Sequence, residues 1–265
     1  MVTIKLMGGI GNVLFQIAAA YAYAKKTNKE LKLTTNDFNV VHKHLDSYKE
    51  NILHNVDFLN NYNTKGFKSF TEPGFNFTEI PNINGNVMLI GYFQAENYFK
   101  DYLGDIKKLF EFPLQIVNNV SKVVKTKYKI DMLADNICSI HVRRGDYLKS
   151  PDHHPAQSLN YYMKAMKKIG MDKKFLVFSD DIEWCKNNFP DMDNLTFVED
   201  FMDYEDLCLM SLCNHNIICN STFSWWSAFL NKNPKKKIIA PSIWFGKAYA
   251  NYNIKDLYCE DWKIV

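Results

Sequence analysis

Of the 32 lysines and arginines in this chain only two are arginine, and they are adjacent, in His141-Val142-Arg143-Arg144-Gly145-Asp146-Tyr147. Wherever a plain positive charge serves, the sequence has lysine. Arginine offers a rigid planar fork of donors that grips a carboxylate or phosphate with two parallel bonds, whereas lysine is a mobile point charge. Two arginines at one spot therefore read as a bidentate anion site, best suited to phosphate. The competing reading is a structural ion pair with Asp146. Residues 136–142 form a short apolar run of strand character. The arginines thus emerge where a strand ends, and in open α/β sheets ligands gather outside the carboxyl ends of strands.

Other segments carry chemistry of their own. Phe178-Ser179-Asp180-Asp181 ends a second strand with paired carboxylates, which suit a divalent cation, or of which one simply caps the next helix. Asn220-Ser221-Thr222 leads from a strand into the apolar helix that contains Ser224. Free backbone N–H groups and hydroxyls there cap the helix and offer an anion site. Trp225 and Trp226 cannot share one helix face, so one is expected to pack inward and the other against a neighbouring domain. Gly8-Gly9-Ile10-Gly11-Asn12 has the look of a dinucleotide turn, but Leu14 stands where the third glycine belongs, which disfavours NAD. Its glycines still let backbone approach a ligand. His141 is either a base contact or a core histidine. His153-His154, between Pro151 and Pro155, sits in a polar loop that either reaches a cleft or faces solvent.

Taken together, these segments resemble glycosyltransferase family 11, the α-1,2-fucosyltransferases. HVRRGDY is similar to the HxRRxD signature of the α1,2/α1,6-fucosyltransferase superfamily, and GGIGNVLFQ, FSDD, NSTFSWWS and Gly91-Tyr92-Phe93-Gln94 follow in family order across residues 8 to 246. The resemblance implies a GT-B-like α/β fold of two Rossmann-like domains facing a cleft, and inverting transfer of fucose from GDP-fucose to a galactoside or related glycan. It implies Arg143 on the β-phosphate in place of a metal, Arg144 bracing the loop, and His141 with Asp180 or Asp181 on guanine. Ser221, Thr222, Ser224, Gly9, Gly11 and Asn12 complete the donor-binding set. Gln16, Gln94, His153 and His154 are acceptor-side candidates, and Asp146 leads as general base. No metal and no other cofactor is expected. Val13 departs from the family, which usually has Gln or Asn there. The rivals are a fucosyltransferase of another linkage or another GDP-sugar transferase, and a non-catalytic glycan- or nucleotide-binding module that would have no use for a phosphate clamp.

The elements that must position these residues follow from periodicity. A strand at 2–6, a glycine turn, a helix at 12–26 and a strand near 31–34 precede a polar stretch, 37–86, expected to hold short elements and the acceptor loops. A strand at 87–92 and helices at 97–110 and 114–128 come next. From 137 on, strands at 137–142, 175–178, 195–198, 216–219 and 237–240 alternate with helices at 159–169, 182–188, 204–213 and 224–231. That order implies a parallel sheet covered by helices. The expected domains are residues 1–134, on the acceptor side, and 135–265, binding the GDP-sugar.

Composition bounds the partners. A chain of 265 residues can bury one large or two small cores, and 47% hydrophobic with 23% charged residues is ordinary for a water-soluble protein. A net charge of +3 with scattered lysines argues against nucleic acid. Lys235-Lys236-Lys237 and the lysines of 122–129 read as solvated faces, with weak peripheral membrane contact as the alternative. The longest apolar stretch, near 17–24, is too short to span a bilayer. No secretory leader is read, and the six cysteines show no metal or redox spacing. Free thiols in the cytoplasm are expected.

Overall fold

The computed structural model describes residues 1–34, 45–59 and 63–265. The chain divides into two compact units, residues 1–111 with 252–259 and residues 112–251 with 260–265. The division falls ahead of the 134/135 boundary read from sequence, so the helix after Pro113 goes with the second unit.

In the first unit, β1 (Val2–Ile4) runs through the glycine turn into α1 (Ile10–Lys26). Five alanines in α1 supply high helix propensity and small side chains. The helix is buried almost all round, and Lys25 and Lys26 complement its dipole in the last turn. Two short strands, β2 (Leu33–Thr34) and β3 (Phe58–Leu59), pair in parallel, with α2 (Leu45–Glu50) between them in the chain. The acceptor loops expected over 37–86 lie partly outside the described residues. Within them, β4 (Lys68–Thr71) joins β5 (Val87–Ile90), giving a parallel sheet of order β1-β5-β4. No apolar run announced β4, because it is an edge strand with three of its four residues exposed.

The helix expected over 97–110 starts only at α3 (Leu103–Leu109), after two turns of 3₁₀ helix. Tyr98 and Phe99 both turn into the core, which one face of a continuous α-helix does not allow at adjacent positions. The segment 252–259 is held to this unit by Asp256, which accepts a 3.0 Å bond from the Phe77 N–H, and by Tyr252, edge-on to Phe75 at 4.9 Å.

The second unit opens with α4 (Leu114–Lys127) and then alternates: β6 (Ile137–Val142), α5 (Leu159–Ile169), β7 (Lys174–Ser179), α6 (Ile182–Asn188), β8 (Leu195–Phe197), α7 (Asp203–Leu212), β9 (His215–Ile217), α8 (Thr222–Leu230), β10 (Ile238–Ala240) and β11 (Lys263–Ile264). All six residues of β6 are buried, as a strand covered on both faces requires. The sheet is wholly parallel, in the order β11-β10-β9-β6-β7-β8. The chain winds one way from β6 through β7 and β8, then returns to β9 and winds the other way. The β6/β9 pair is therefore the topological switch point, where the two following loops diverge and leave a crevice. Ile140 pairs with Ile217, and Val142 with Ser179. The loops after β6, β7 and β9 consequently meet at one sheet edge.

Trp225 and Trp226 are adjacent in α8. Both are fully buried, with Trp225 on Phe229 and Trp262 and Trp226 edge-on to Phe229, all rings of the second unit. A helix inside the core is apolar around its whole circumference, so adjacent positions can both be covered. All six cysteines are free, and five are buried.

One fully buried side chain ties the first unit's sheet edge. Gln16 Oε1 accepts from the Met7 N–H at 2.9 Å, and its Nε2 donates to the carbonyls of Met7 (3.3 Å) and Gly91 (3.1 Å). Gln16→Leu keeps the volume but leaves those backbone groups without partners. The expected cost is about 2–3 kcal/mol, read as a lower urea midpoint with an unchanged slope.

Candidate active site

The loop after β6 is organised by carboxylates. Asp146 Oδ1 lies 2.9 Å from both Nε and Nη2 of Arg143, and Asp180 Oδ2 lies 3.2 Å from the same Nε. One edge of the guanidinium is thus occupied, while its Nη1 donors have no partner among the described residues. The side chain is 37% exposed. Burial works against its charge, but Asp180 and Asp146 outweigh it and raise the pKa further above the ordinary arginine value. Arg144 is turned the other way. Its Nε bonds Asp181 Oδ2 at 3.0 Å, and the guanidinium lies 3.9 Å above the Trp184 ring, a cation–π stack. This is the bracing role expected of Arg144.

Asp180 and Asp181 follow β7, and both serve this loop. Asp180 Oδ1 accepts the Arg144 backbone N–H at 2.9 Å. Asp181 caps α6 by accepting from the Trp184 N–H at 3.3 Å. Gly145 makes the close approach feasible, since a Cβ there would stand 2.6 Å from Asp180 Oδ2. The two aspartates are therefore arginine partners, and among the described residues no group of three or more His, Cys, Asp or Glu could hold a metal ion.

At the end of β9, Ser221 caps α8 by accepting from the Phe223 N–H at 3.3 Å, and Thr222 opens the helix. Ser224 is fully buried; its Oγ donates to the Ser221 carbonyl at 3.2 Å and lies 3.8 Å from Cys219 Sγ. His141 is buried, with Nδ1 3.1 Å from Cys219 Sγ and its ring against Phe223. Burial, and then the Arg143 charge, lower its pKa to about 3.

Asn220 was missed in the sequence. Its Nδ2 donates to the carbonyls of Pro155 and Trp244, its Oδ1 accepts from Gln157 Nε2, and its backbone carbonyl accepts from Tyr147 OH at 2.8 Å. One buried amide thus fastens three loops around the arginines. A polar residue ending an apolar run before Ser-Thr was the available signal. His153 and His154 also belong to this unit. His154 stacks on Tyr147 at 5.2 Å and packs on Phe245, while His153 meets Tyr249.

The remaining candidates gather at the carboxyl edge of the first unit's sheet. Gly8 has φ +78°, and a side chain there would strike Asn12. Gly9 is the N-cap of α1, Gly11 is buried in its first turn, and Asn12 Oδ1 accepts from Gln94 Nε2 at 3.0 Å. Gln16 is wholly engaged with backbone, which removes it from the acceptor-side candidates. Val13 is a core residue, 2% exposed, so position 13 presents nothing to a ligand. Glu72, also missed, accepts the N–H groups of Tyr92 and Phe93 at 2.8 Å each and holds the turn after β5, where Phe93 has φ +53°.

Solved structures share this architecture. NodZ alpha-1,6-fucosyltransferase, soaked with GDP-fucose, aligns with a TM-score of 0.54 at 13% identity, covering 86% of this chain and 92% of that one. POFUT1 in its apo form aligns at 0.53 and 12%, covering 91% and 97%. The fold is thus GT-B-like, with two α/β units each built on a parallel sheet. More narrowly, the chain belongs to glycosyl transferase family 11, whose model matches residues 1–265. Its relatives include the O-antigen biosynthesis glycosyltransferase WbnK of Escherichia coli, 29% identical over 97% of this chain and 98% of the relative. An alpha-1,2-colitosyltransferase of Escherichia coli is 30% identical over 95% and 94%. The human galactoside alpha-(1,2)-fucosyltransferase 1 is 32% identical over 34% of this chain and 28% of the relative. Among the described residues, no helix is long and apolar enough to cross a membrane.

The neutral, buried His141 has a consequence for acid stability. Its pKa falls from the ordinary 6.5 to about 3 on folding, so between those values the unfolded chain binds the extra proton. Its contribution is complete above pH 6.5 and is lost as pH falls toward 3. His141→Gln should flatten the pH dependence of the unfolding midpoint across that window, measured by thermal melts from pH 7 to 4.

Proposed function

We propose that this chain transfers fucose from GDP-fucose, with inversion and without a metal, to a hydroxyl of a galactoside or related glycan, forming an α-1,2 linkage. The observation that carries this reading is Arg143, braced by two carboxylates at the switch point of a doubly wound sheet with its Nη1 edge open. As the acceptor oxygen bonds to the anomeric carbon, the bond from that carbon to the β-phosphate oxygen breaks, and its electron pair stays on the phosphate. A guanidinium already held in place stabilises that developing charge without reorganising. The α8 N-terminus, with Ser221 and Thr222, is assigned to the same diphosphate.

Asp180 and Asp181 act in donor binding by holding the two arginines, and guanine recognition falls to His141. Asp146, with Oδ1 on Arg143, offers Oδ2 for the acceptor proton. Gln94 of the first unit is assigned to the acceptor side. The WbnK relative supports a surface polysaccharide as acceptor, and the free thiols support a cytoplasmic site of action. A second reading has its own support. The colitosyltransferase relative covers nearly the whole chain, and colitose is fucose without its 3-hydroxyl, so a GDP-linked dideoxy sugar is the competing donor.

Two measurements test the proposal. Arg143→Lys should retain the melting temperature while kcat falls about 10²–10³-fold, the loss typical of removing one preorganised donor from a developing oxyanion. Undiminished turnover would remove Arg143 from the leaving group. Product analysis by NMR should then show α-1,2-linked fucose; linkage to another hydroxyl, or turnover with GDP-colitose alone, would overturn the finer assignment.

A further inference from the structure

The thiol beneath the proposed nucleotide site has a directional role. His141 Nδ1 lies 3.1 Å from Cys219 Sγ, and both side chains are buried. Behind the sulfur stands Ser224 Oγ, at 3.8 Å, itself 3.2 Å from the Ser221 carbonyl. A carbonyl only accepts, so the Ser224 hydrogen is committed to Ser221 and its oxygen is left to accept from the thiol. With the thiol hydrogen directed at Ser224, the sulfur lone pairs face Nδ1, which then carries the proton.

We infer that Cys219 is a positioning residue whose thiol fixes His141 as the Nδ1–H tautomer, presenting a bare Nε2 lone pair to the N–H edge of the donor's guanine. The guanine half of this inference rests on the GDP-sugar reading above. Protonation states agree with the geometry. Burial pushes the Cys219 thiol up to about 12, so it keeps its hydrogen, and the imidazole stays neutral. Only the tautomer is then left to set. Nε2 has no partner among the described residues and is not among the buried unpartnered atoms, and Phe223 holds the ring from the side, 5.3 Å between centroids. The histidine is the last residue but one of β6, which pairs with β9 at the switch point. A lone pair there accepts from guanine N1–H or N2–H₂ and repels the corresponding ring-nitrogen acceptor of adenine. A reversed thiol, donating to Nδ1, would instead make Nε2 a donor and favour acceptor edges.

Long-range ¹H–¹⁵N correlation spectra of the histidines, recorded on the free wild-type protein, read the tautomer directly. Protonated Nδ1 with bare Nε2 at His141 is expected, and protonated Nε2 would overturn the inference without recourse to any variant. Calorimetric titration with GDP and ADP reads the consequence. Wild type should favour GDP. Cys219→Ala should lower GDP affinity about tenfold, narrow the preference over ADP, and raise the donor KM by more than kcat falls. Cys219→Ser, which keeps a hydroxyl at the sulfur's place, should restore most of both. An unchanged GDP-to-ADP ratio in Cys219→Ala would overturn the positioning role. Failure of wild type to bind GDP at all would overturn the donor reading and the guanine half with it, while the tautomer decides the thiol's half alone.

Discussion

Two arginines shared among three carboxylates hold the carboxyl edge of the second unit's sheet in shape. A guanidinium at the end of a buried strand is costly unless its charge and donors are matched. Asp146 and Asp180 both match Arg143 along its Nε edge, while Asp181 and the face of Trp184 match Arg144. The clasp joins β6 to β7 through Asp180, and it reaches α6 because Asp181 is also that helix's cap. Gly145 is the residue that permits it. Lysine at either position would supply charge without the fork that reaches two partners, which accounts for the only two arginines of the chain standing here.

Topology gives the clasp its setting. Because β6 lies between β7 and β9, its loop meets the aspartates on one side and Cys219, Asn220 and Ser221 on the other. Parallel strands bring every such loop out at the same edge. The first unit uses the same geometry with different chemistry. Its edge is tied by neutral amides, Gln16 to Met7 and Gly91 and Gln94 to Asn12, with Glu72 as the one carboxylate on the turn after β5. The second unit's edge thus carries an arginine–carboxylate cluster, and the first unit's edge is tied mainly by neutral amides.

Much of this was legible in the sequence, for identifiable reasons. Buried parallel strands read as apolar runs, so each strand and helix expected from residue 137 on is present within a residue or two. The arginine pair stood out by type alone. The edge strand β4, with Lys68, Ser69 and Thr71 exposed, left no such trace. Nor did the partners of the aspartates: Asp180 meets Arg144 across 36 positions of chain and Asp181 across 37, so carboxylates that locally resemble a metal corner turn out to be arginine partners. Gln16 was an acceptor-side candidate through the family resemblance alone. In the fold its amide satisfies backbone at the sheet edge. The pairing of Cys219 with His141 depends on β9 lying beside β6, an adjacency that strand order alone decides.

If Arg143 carries the leaving-group charge, the reaction needs no metal, and GDP release from GDP-fucose in excess EDTA, with and without a β-galactoside acceptor, reads this out. Acceptor-dependent release that survives chelation is the predicted result. Release restored only by adding Mg²⁺ or Mn²⁺ would contradict it, returning the charge to a metal and Asp180 and Asp181 to holding one.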